Sequence, residues 1–177
     1  PMSMSGEWVV DWGRSESLQP VLEAIGVSWI ARVIACSLDV HYRITHTASK
    51  FHVIEVSSLG ENETHVLLNN KWHEIDYASG RVRVFARGRV DLETSDVVTE
   101  VRLPVDWATS RPATSAGREA GSATTPQLPV EFTHESFTHG FAVLVSRRHR
   151  ESRTVLRERV VLVGRDGAPL ASCNRFL

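Results

Sequence analysis

The segment Leu22-Glu23-Ala24-Ile25-Gly26-Val27-Ser28-Trp29-Ile30-Ala31-Arg32 interrupts a chain that is otherwise patterned for β-strands. Apolar residues recur at helical spacing before Gly26 and resume that spacing after it. Ser15 or Ser17 is available as an N-cap. The pattern predicts two short helices joined by a tight turn within residues 15–36, which we expect to form a lid because they are too short to cover both faces of a large sheet. The apolar positions that carry it are Leu18, Val21, Leu22 and Ile25, then Trp29, Ile30, Val33 and Ile34.

The rest of the sequence is typical of short β-strands. Val, Ile, Thr and aromatic residues are frequent, and many of them alternate with polar residues. Turn sequences separate the apolar runs, above all Asp166-Gly167. Many short strands at hairpin spacing indicate an all-β sandwich or an up-and-down barrel. The predicted strands are 7–12, 40–46, 50–56, 64–69, 81–88, 97–105, 141–148, 153–163 and 169–176.

Composition and charge indicate a soluble domain and exclude several classes of partner. The 177 residues are 42% hydrophobic, which is enough for one core, and the net charge of −1 excludes a strongly basic surface for nucleic acid. The longest uncharged apolar run, 33–38, is too short to span a bilayer, and the first residues lack a secretory pattern. Cys36 and Cys173 form no CxxC motif, so neither a disulfide framework nor a structural zinc site is expected. We therefore expect one cytoplasmic domain over residues 1–177.

One internal stretch departs from the strand pattern. Residues 107–127 are rich in Ala, Thr, Ser, Gly and Pro and show no apolar periodicity, which predicts a flexible insertion. A short duplication follows, Phe132-Thr133-His134 and Phe137-Thr138-His139. An insertion of this kind leaves open a function in which residues 107–139 contact another protein.

Four segments together resemble the intracellular lipid-binding proteins, the family of the fatty-acid-binding and cellular retinoid-binding proteins. The resemblance covers residues 6–105 and 139–177, and it implies a ten-stranded antiparallel barrel, capped by the two helices, around a cavity that holds one apolar ligand. The order of a strand, two helices and then only strands distinguishes the pattern from that of lipocalins. The segments are Gly6-Glu7-Trp8, the lid sequence with Gly26, Val27 and Arg32, Lys71-Trp72-His73-Glu74-Ile75 followed by Arg81, and the final hairpin through Asp166-Gly167 to Cys173-Asn174-Arg175-Phe176-Leu177.

Arg175 is the strongest candidate for a ligand contact. If Cys173 and Arg175 share the inner face of the last strand, the guanidinium is buried and needs an anion or several acceptors, since it cannot deprotonate. Its planar donor set fits a carboxylate. In the family it resembles, an arginine at this point acts with a second arginine and a tyrosine, but here Leu177 takes the tyrosine position. The alternative is an arginine that faces outward.

The second arginine is expected from the strand 141–148, and Arg147 is the candidate. Because side chains alternate between the two faces of a strand, a shift of one residue would place Ser146 and Arg148 inward instead. Arg157 on the next strand is a further alternative.

Three candidates lie near the expected cavity entrance, and each has an ordinary alternative. Arg81 either lies near the cavity mouth, as the resemblance implies, or on a solvated outer face. Trp29 and Val33 either line the portal or pack the lid onto the barrel rim. Leu59 lies in a turn that corresponds to a portal element, where the family often carries a bulky aromatic residue.

The sequence therefore predicts binding and intracellular transport or sequestration of a hydrophobic carboxylate, such as a long-chain fatty acid or a retinoid. Ligand contacts are expected from Arg175, Arg147, Arg81, Trp29, Val33, Leu59 and Cys173. No cofactor is expected, and the eight histidines show no metal-ligand spacing. We expect a monomer that is not an enzyme, with transient contact to a membrane or protein. The alternatives are the interaction module and a barrel enzyme that acts on a bound lipid.

Overall fold

The computed structural model describes residues 3–77, 82–104 and 141–177. The predicted insertion at 107–127, the duplicated Phe-Thr-His segments and Arg81 lie outside these residues. The helices are α1 (Gln19–Ala24) and α2 (Trp29–Ser37). The strands are β1 (Gly6–Val9), β2 (His41–His46), β3 (Lys50–Ser57), β4 (Gly60–Leu67), β5 (His73–Tyr77), β6 (Val82–Val90), β7 (Val97–Pro104), β8 (Phe141–Arg150), β9 (Leu156–Val163) and β10 (Pro169–Phe176).

The strands form two antiparallel sheets in which neighbours in space are also neighbours in sequence. One sheet has the order β1-β2-β3-β4, and the other has the order β10-β9-β8-β7-β6-β5. The all-β, up-and-down arrangement predicted from the sequence is thus confirmed. The predicted closure into one barrel is not seen as a continuous ladder, because within the described ranges no strand pairing joins β4 to β5 or β1 to β10. The strand β5 was not predicted, because its sequence His-Glu-Ile-Asp-Tyr offers few apolar residues.

The two helices form the predicted lid, and local chemistry fixes their ends. Pro20 lies in the first turn of α1, where its missing N–H costs nothing. Gly26 ends that helix with a φ of 78°, a left-handed conformation that glycine adopts without strain. Ser28 caps α2, since its Oγ accepts a hydrogen bond of 3.4 Å from the Ala31 N–H. The predicted caps were wrong in position: Ser17 bonds only to the Gln19 N–H, and α1 begins after Leu18 without a side-chain cap.

The core consists of two groups of buried side chains. In one, Val21 of α1 packs with residues of the six-stranded sheet such as Leu162 and Cys173. In the other, Trp8 and Phe51 of the four-stranded sheet pack with Leu156. The lid helix α1 therefore packs on the six-stranded sheet.

The two sheets approach each other closely at Gly88 on β6. A Cβ atom added there would lie 2.9 Å from side-chain atoms of Leu68 and Val66 and 3.0 Å from the Leu67 carbonyl oxygen. The Gly88 carbonyl also accepts a 2.8 Å hydrogen bond from the Asn70 N–H. A side chain at this position would therefore push β4 away from β6.

We expect Gly88→Ala to lower the free energy of unfolding by about 1–3 kcal/mol, because overpacking forces neighbouring backbone to shift. Chemical denaturation followed by circular dichroism measures the effect. Gly13→Ala is the matched control, because its added Cβ would meet only the Asp11 Oδ1 atom at 3.4 Å. Equal stability losses in the two variants would contradict the close approach at Gly88.

Candidate functional site

A cavity of about 400 Å³ lies beneath the lid, between the two sheets. Apolar side chains of α1 cover one side of it, and Leu103, Leu144 and Val160 form part of the opposite wall. A second cavity of about 60 Å³ shares Leu144 and three polar residues with the first. The helical face predicted from the sequence is the one that covers the cavity, through Leu18, Val21, Leu22 and Ile25.

Arg175 reaches the cavity from β10, as predicted, and is buried. Its Nη2 donates a 2.7 Å hydrogen bond to the hydroxyl of Tyr42 on β2, and its Nη1 lies 3.4 Å from Oε2 of Glu158 on β9. Tyr42 thus supplies a phenolic partner from another strand, although Leu177 occupies the position where the family has its tyrosine. Leu177 is buried instead in the apolar core.

A second buried arginine, Arg148 on β8, shares the same carboxylate. Its Nη2 lies 2.5 Å from Oε1 of Glu158, and its Nη1 donates a 3.4 Å hydrogen bond to the Thr99 hydroxyl. The guanidinium carbon also lies 5.2 Å from the centre of the Phe51 ring. Glu158 therefore uses one oxygen for each arginine and joins three adjacent strands.

Glu55 on β3 adds a second carboxyl group to the cavity wall. Its Oε2 accepts a 3.3 Å hydrogen bond from the Asn62 amide. Burial raises the pKa of Glu55 and the nearby charge of Glu158 adds to this, while the Asn62 hydrogen bond acts in the opposite direction. We call Tyr42, Glu55, Arg148, Glu158 and Arg175 the polar cluster.

Electrostatics keep Arg175 charged and Tyr42 protonated. Burial alone would lower the pKa of Arg175, but the charge of Glu158 and the contact with Tyr42 outweigh it, so that its pKa is raised. Burial raises the pKa of the Tyr42 hydroxyl, and the charge of Glu55 raises it further. The phenol therefore remains a neutral donor and acceptor beside a permanent cation.

The register of each strand explains why these polar groups face inward. Successive side chains point to opposite faces, so residues two apart share a face. On β9, Leu156, Glu158, Val160 and Leu162 are buried while Arg157 and Arg159 are exposed. On β8, the cavity receives Leu144, Ser146 and Arg148.

This register places Arg147 outside the cavity, so the prediction that its side chain faces inward was wrong. Its Nη1 lies 3.0 Å from Oδ2 of Asp96 and 3.2 Å from Oδ2 of Asp91. Asp96 also accepts a 2.6 Å contact from Nδ1 of His149. Arg147 therefore ties the β6–β7 turn to β8, and Arg148, named at the outset only as the result of a one-residue shift, takes the inner position.

The other predicted contacts lie away from the cavity wall. Trp29 and Val33 are 66% and 42% exposed on α2, and neither lines the cavity. Leu59 is 73% exposed at the turn between β3 and β4, where its neighbours Ser57 and Gly60 line the cavity. Cys173 is fully buried in the core below α1, and burial raises the pKa of its thiol to about 11. Arg81 lies outside the described residues.

Sequence reasoning missed Tyr42, Glu55 and Glu158, and it named Arg148 only as the alternative to Arg147. A signal was nevertheless present for the two acids, because each occupies the alternation of a buried strand face. Glu55 follows Phe51 and Val53 on β3, and Glu158 lies between Leu156 and Val160 on β9. A charge at an otherwise apolar position of this kind indicates a buried partner.

One cluster of possible metal ligands lies on the outer face of β3 and β4. The Nε2 atoms of His52 and His65 lie 2.7 and 3.0 Å from Oε1 of Glu63, and the imidazole rings stack at 3.9 Å. A hydrogen bond from His65 lowers the pKa of Glu63. Among the described residues, these three form the group whose potential metal-ligand atoms all lie within 4.8 Å of one another. They are separate from the cavity.

The comparison with solved structures places this fold among lipid-binding proteins. The fatty-acid-binding protein 1 of Echinococcus granulosus has a TM-score of 0.60 at 15% identity, with 98% of this chain and 94% of that chain covered. A Schistosoma mansoni fatty acid binding protein in complex with arachidonic acid has a TM-score of 0.59 at 13% identity, covering 97% and 92%. Human cRBP IV has a TM-score of 0.59 at 13% identity, covering 99% and 97%. No family model and no curated protein sequence matches the chain.

The chain therefore has the fold of the intracellular lipid-binding proteins, as the sequence resemblance implied. The comparison at 13–15% identity establishes that fold. None of the helices in the described ranges has the length and apolarity needed to cross a membrane.

Proposed function

We propose that this protein binds one small hydrophobic ligand, of the size of a long-chain fatty acid or a retinoid, in the cavity beneath the lid. The observation that carries the proposal is an apolar cavity of about 400 Å³ that ends at a buried polar cluster. Its size lies within the range of ligand pockets, and a few convergent polar groups in an apolar wall are typical of them. Solved structures with the same fold that are named as fatty-acid-binding proteins support it.

Apolar burial supplies most of the affinity in this proposal. Each Å² of ligand surface removed from water contributes about 25 cal/mol. The polar cluster then orients the head group, with Arg175 and Arg148 as the cationic members. The mechanism is sequestration and intracellular transport, without catalysis.

The outer side of the lid supports contact with a membrane or protein during ligand exchange. Trp29, Ile30, Val33 and Ile34 form an apolar face on α2, and each is at least 42% exposed. Clustered exposed apolar side chains of this kind mark interaction surfaces. We propose that this face approaches the membrane or protein that supplies or receives the ligand.

Binding of the neutral dye Nile red tests the cavity. Leu144→Trp is expected to weaken Nile red binding about tenfold or more, because Leu144 lines the cavity and the larger side chain would fill part of it. A tenfold loss of affinity corresponds to about 1.4 kcal/mol. Val145→Trp is the matched control, because Val145 points to the other face of the same strand. Fluorescence titration measures both variants.

Two outcomes would contradict the proposed function. A ligand cavity would be excluded if Nile red did not bind the wild-type protein, or if no lipid displaced the bound dye. Equal losses in the two tryptophan variants would place the dye elsewhere. In either case the interaction module that uses residues 107–139 would become the leading alternative.

A further inference from the structure

We propose that the ligand carries a neutral hydroxyl head group rather than a carboxylate, because Glu158 already occupies the space between the two buried arginines. This inference rests on the proposed function and revises the carboxylate expected from the sequence. It concerns only the end of the ligand that meets the polar cluster.

Glu158 holds both guanidinium groups with its two oxygens. The contacts are 2.5 Å to Arg148 and 3.4 Å to Arg175, and the Glu158 side chain is 3% exposed. Hydrogen bonds between a guanidinium group and a carboxylate are shorter and stronger than those between neutral groups. The protein therefore supplies its own anion at the point where a ligand carboxylate would otherwise bind.

Each arginine also has a hydroxyl partner in addition to Glu158. Arg175 donates to the Tyr42 hydroxyl, and Arg148 donates to the Thr99 hydroxyl. A ligand carboxylate that took the position between the two arginines would have to displace Glu158, which is attached to the strand and cannot leave the cavity. Displacing it would leave a buried carboxylate without its cationic partners, which is strongly unfavourable.

Charge balance leads to the same conclusion. Among the described residues that line the cavity, the groups that carry charge in their ionised forms at neutral pH are Arg148 and Arg175, balanced by Glu55 and Glu158. When Glu55 is ionised, a carboxylate ligand adds a negative charge to a balanced cluster. That charge requires a compensating proton, for example on Glu55, whereas a hydroxyl leaves the charge of the cluster unchanged in either state of Glu55.

Glu55 offers a partner that suits a hydroxyl group. Beyond the hydrogen bond from Asn62, a carboxyl group has capacity for further hydrogen bonds. A ligand hydroxyl donates to Glu55 when this residue is ionised, and it accepts from Glu55 when the residue is protonated. The head group is therefore satisfied in both protonation states.

The test is displacement of Nile red by oleyl alcohol and by oleate at pH 7.4, with the lipids below their aggregation limits. On the wild-type protein, oleyl alcohol is expected to displace the dye at a concentration about tenfold lower than oleate. Retinol and retinoate repeat the comparison on a second matched pair of apolar bodies. Oleate that equals or exceeds oleyl alcohol would overturn the inference and leave the proposed function intact. If Nile red fails to bind, the proposed function itself fails, so the two failures are distinguishable.

Two variants test the cause of the preference. Glu158→Gln is expected to improve oleate displacement about tenfold with less than a threefold change for oleyl alcohol, because it removes the resident negative charge. Glu55→Gln alters the second acid without touching the arginine pair, and we expect it to improve oleate displacement in the same direction. An unchanged oleate-to-alcohol ratio in folded variants would contradict the role of these carboxylates. The wild-type comparison decides the inference if neither variant folds.

Discussion

Replacing Glu158 with alanine is expected to lower the free energy of unfolding by about 3–5 kcal/mol, because removal of one member of a buried ion pair leaves uncompensated charge in the interior. Here two guanidinium groups would lose the carboxylate that both contact. Bringing these guanidinium groups back into contact with water would disturb the packing of β8, β9 and β10. Denaturant titration followed by tryptophan fluorescence measures the change.

Two further variants separate this charge effect from a loss of packing. Glu74→Ala is the surface control: its carboxylate lies 3.9 Å from Arg83, both side chains are more than half exposed, and the expected loss is below about 1 kcal/mol. The triple variant Arg148→Met, Glu158→Leu, Arg175→Met replaces the buried ions with apolar groups of similar volume. It should recover most of the lost stability, since such replacements are often neutral or stabilising. A triple variant as unstable as Glu158→Ala would show that the charges are not the cause.

Leu162→Ala is expected to cost about 2–5 kcal/mol of unfolding free energy, because it removes a large side chain from a packed core and leaves a cavity. Leu162 is 0% exposed, on β9 below the lid, in the same buried group as Val21 and Cys173. Its loss should also loosen α1 on the six-stranded sheet. Thermal and chemical denaturation measure the effect.

Leu92→Ala makes the same chemical change at a position that is 91% exposed. Surface substitutions of this kind usually change stability by less than about 0.5 kcal/mol. A difference between the two variants of under 1 kcal/mol would mean that the lid side of β9 is not a packed core.

Local sequence patterns predicted most of the fold. Helical spacing around Gly26 placed both helices of the lid, and alternation with turn residues placed every strand except β5. That strand escaped because His73, Glu74 and Asp76 leave it almost no apolar face. The division into two sheets could not be predicted either. Whether neighbouring strands form hydrogen bonds depends on the distance between them, and the pattern of apolar and polar residues does not encode that distance.

The site was harder to predict, because a pattern of alternation does not say which face is the inner one. Arg147 and Arg148 are adjacent and chemically identical, and only their contacts in the folded protein, Arg147 with Asp96 and Arg148 with Glu158, show which one faces inward. Arg175 was placed correctly because Cys173 marks the apolar face of β10. Tyr42, by contrast, contacts Arg175 across 133 positions of sequence, and no local signal links the two residues.

The strict division between the faces of β8 has a consequence for comparing distant sequences. Arg147, at an odd-numbered position, forms ion pairs with Asp91 and Asp96 on the outer face of the strand. Arg148, at an even-numbered position, forms an ion pair with Glu158 on the inner face. A single inserted or deleted residue in this strand would exchange the two sets and place an arginine opposite the wrong acid. At 10–15% identity, an alignment that preserves odd and even positions along each strand therefore carries more information about which side chains face the cavity than one that maximises identical letters.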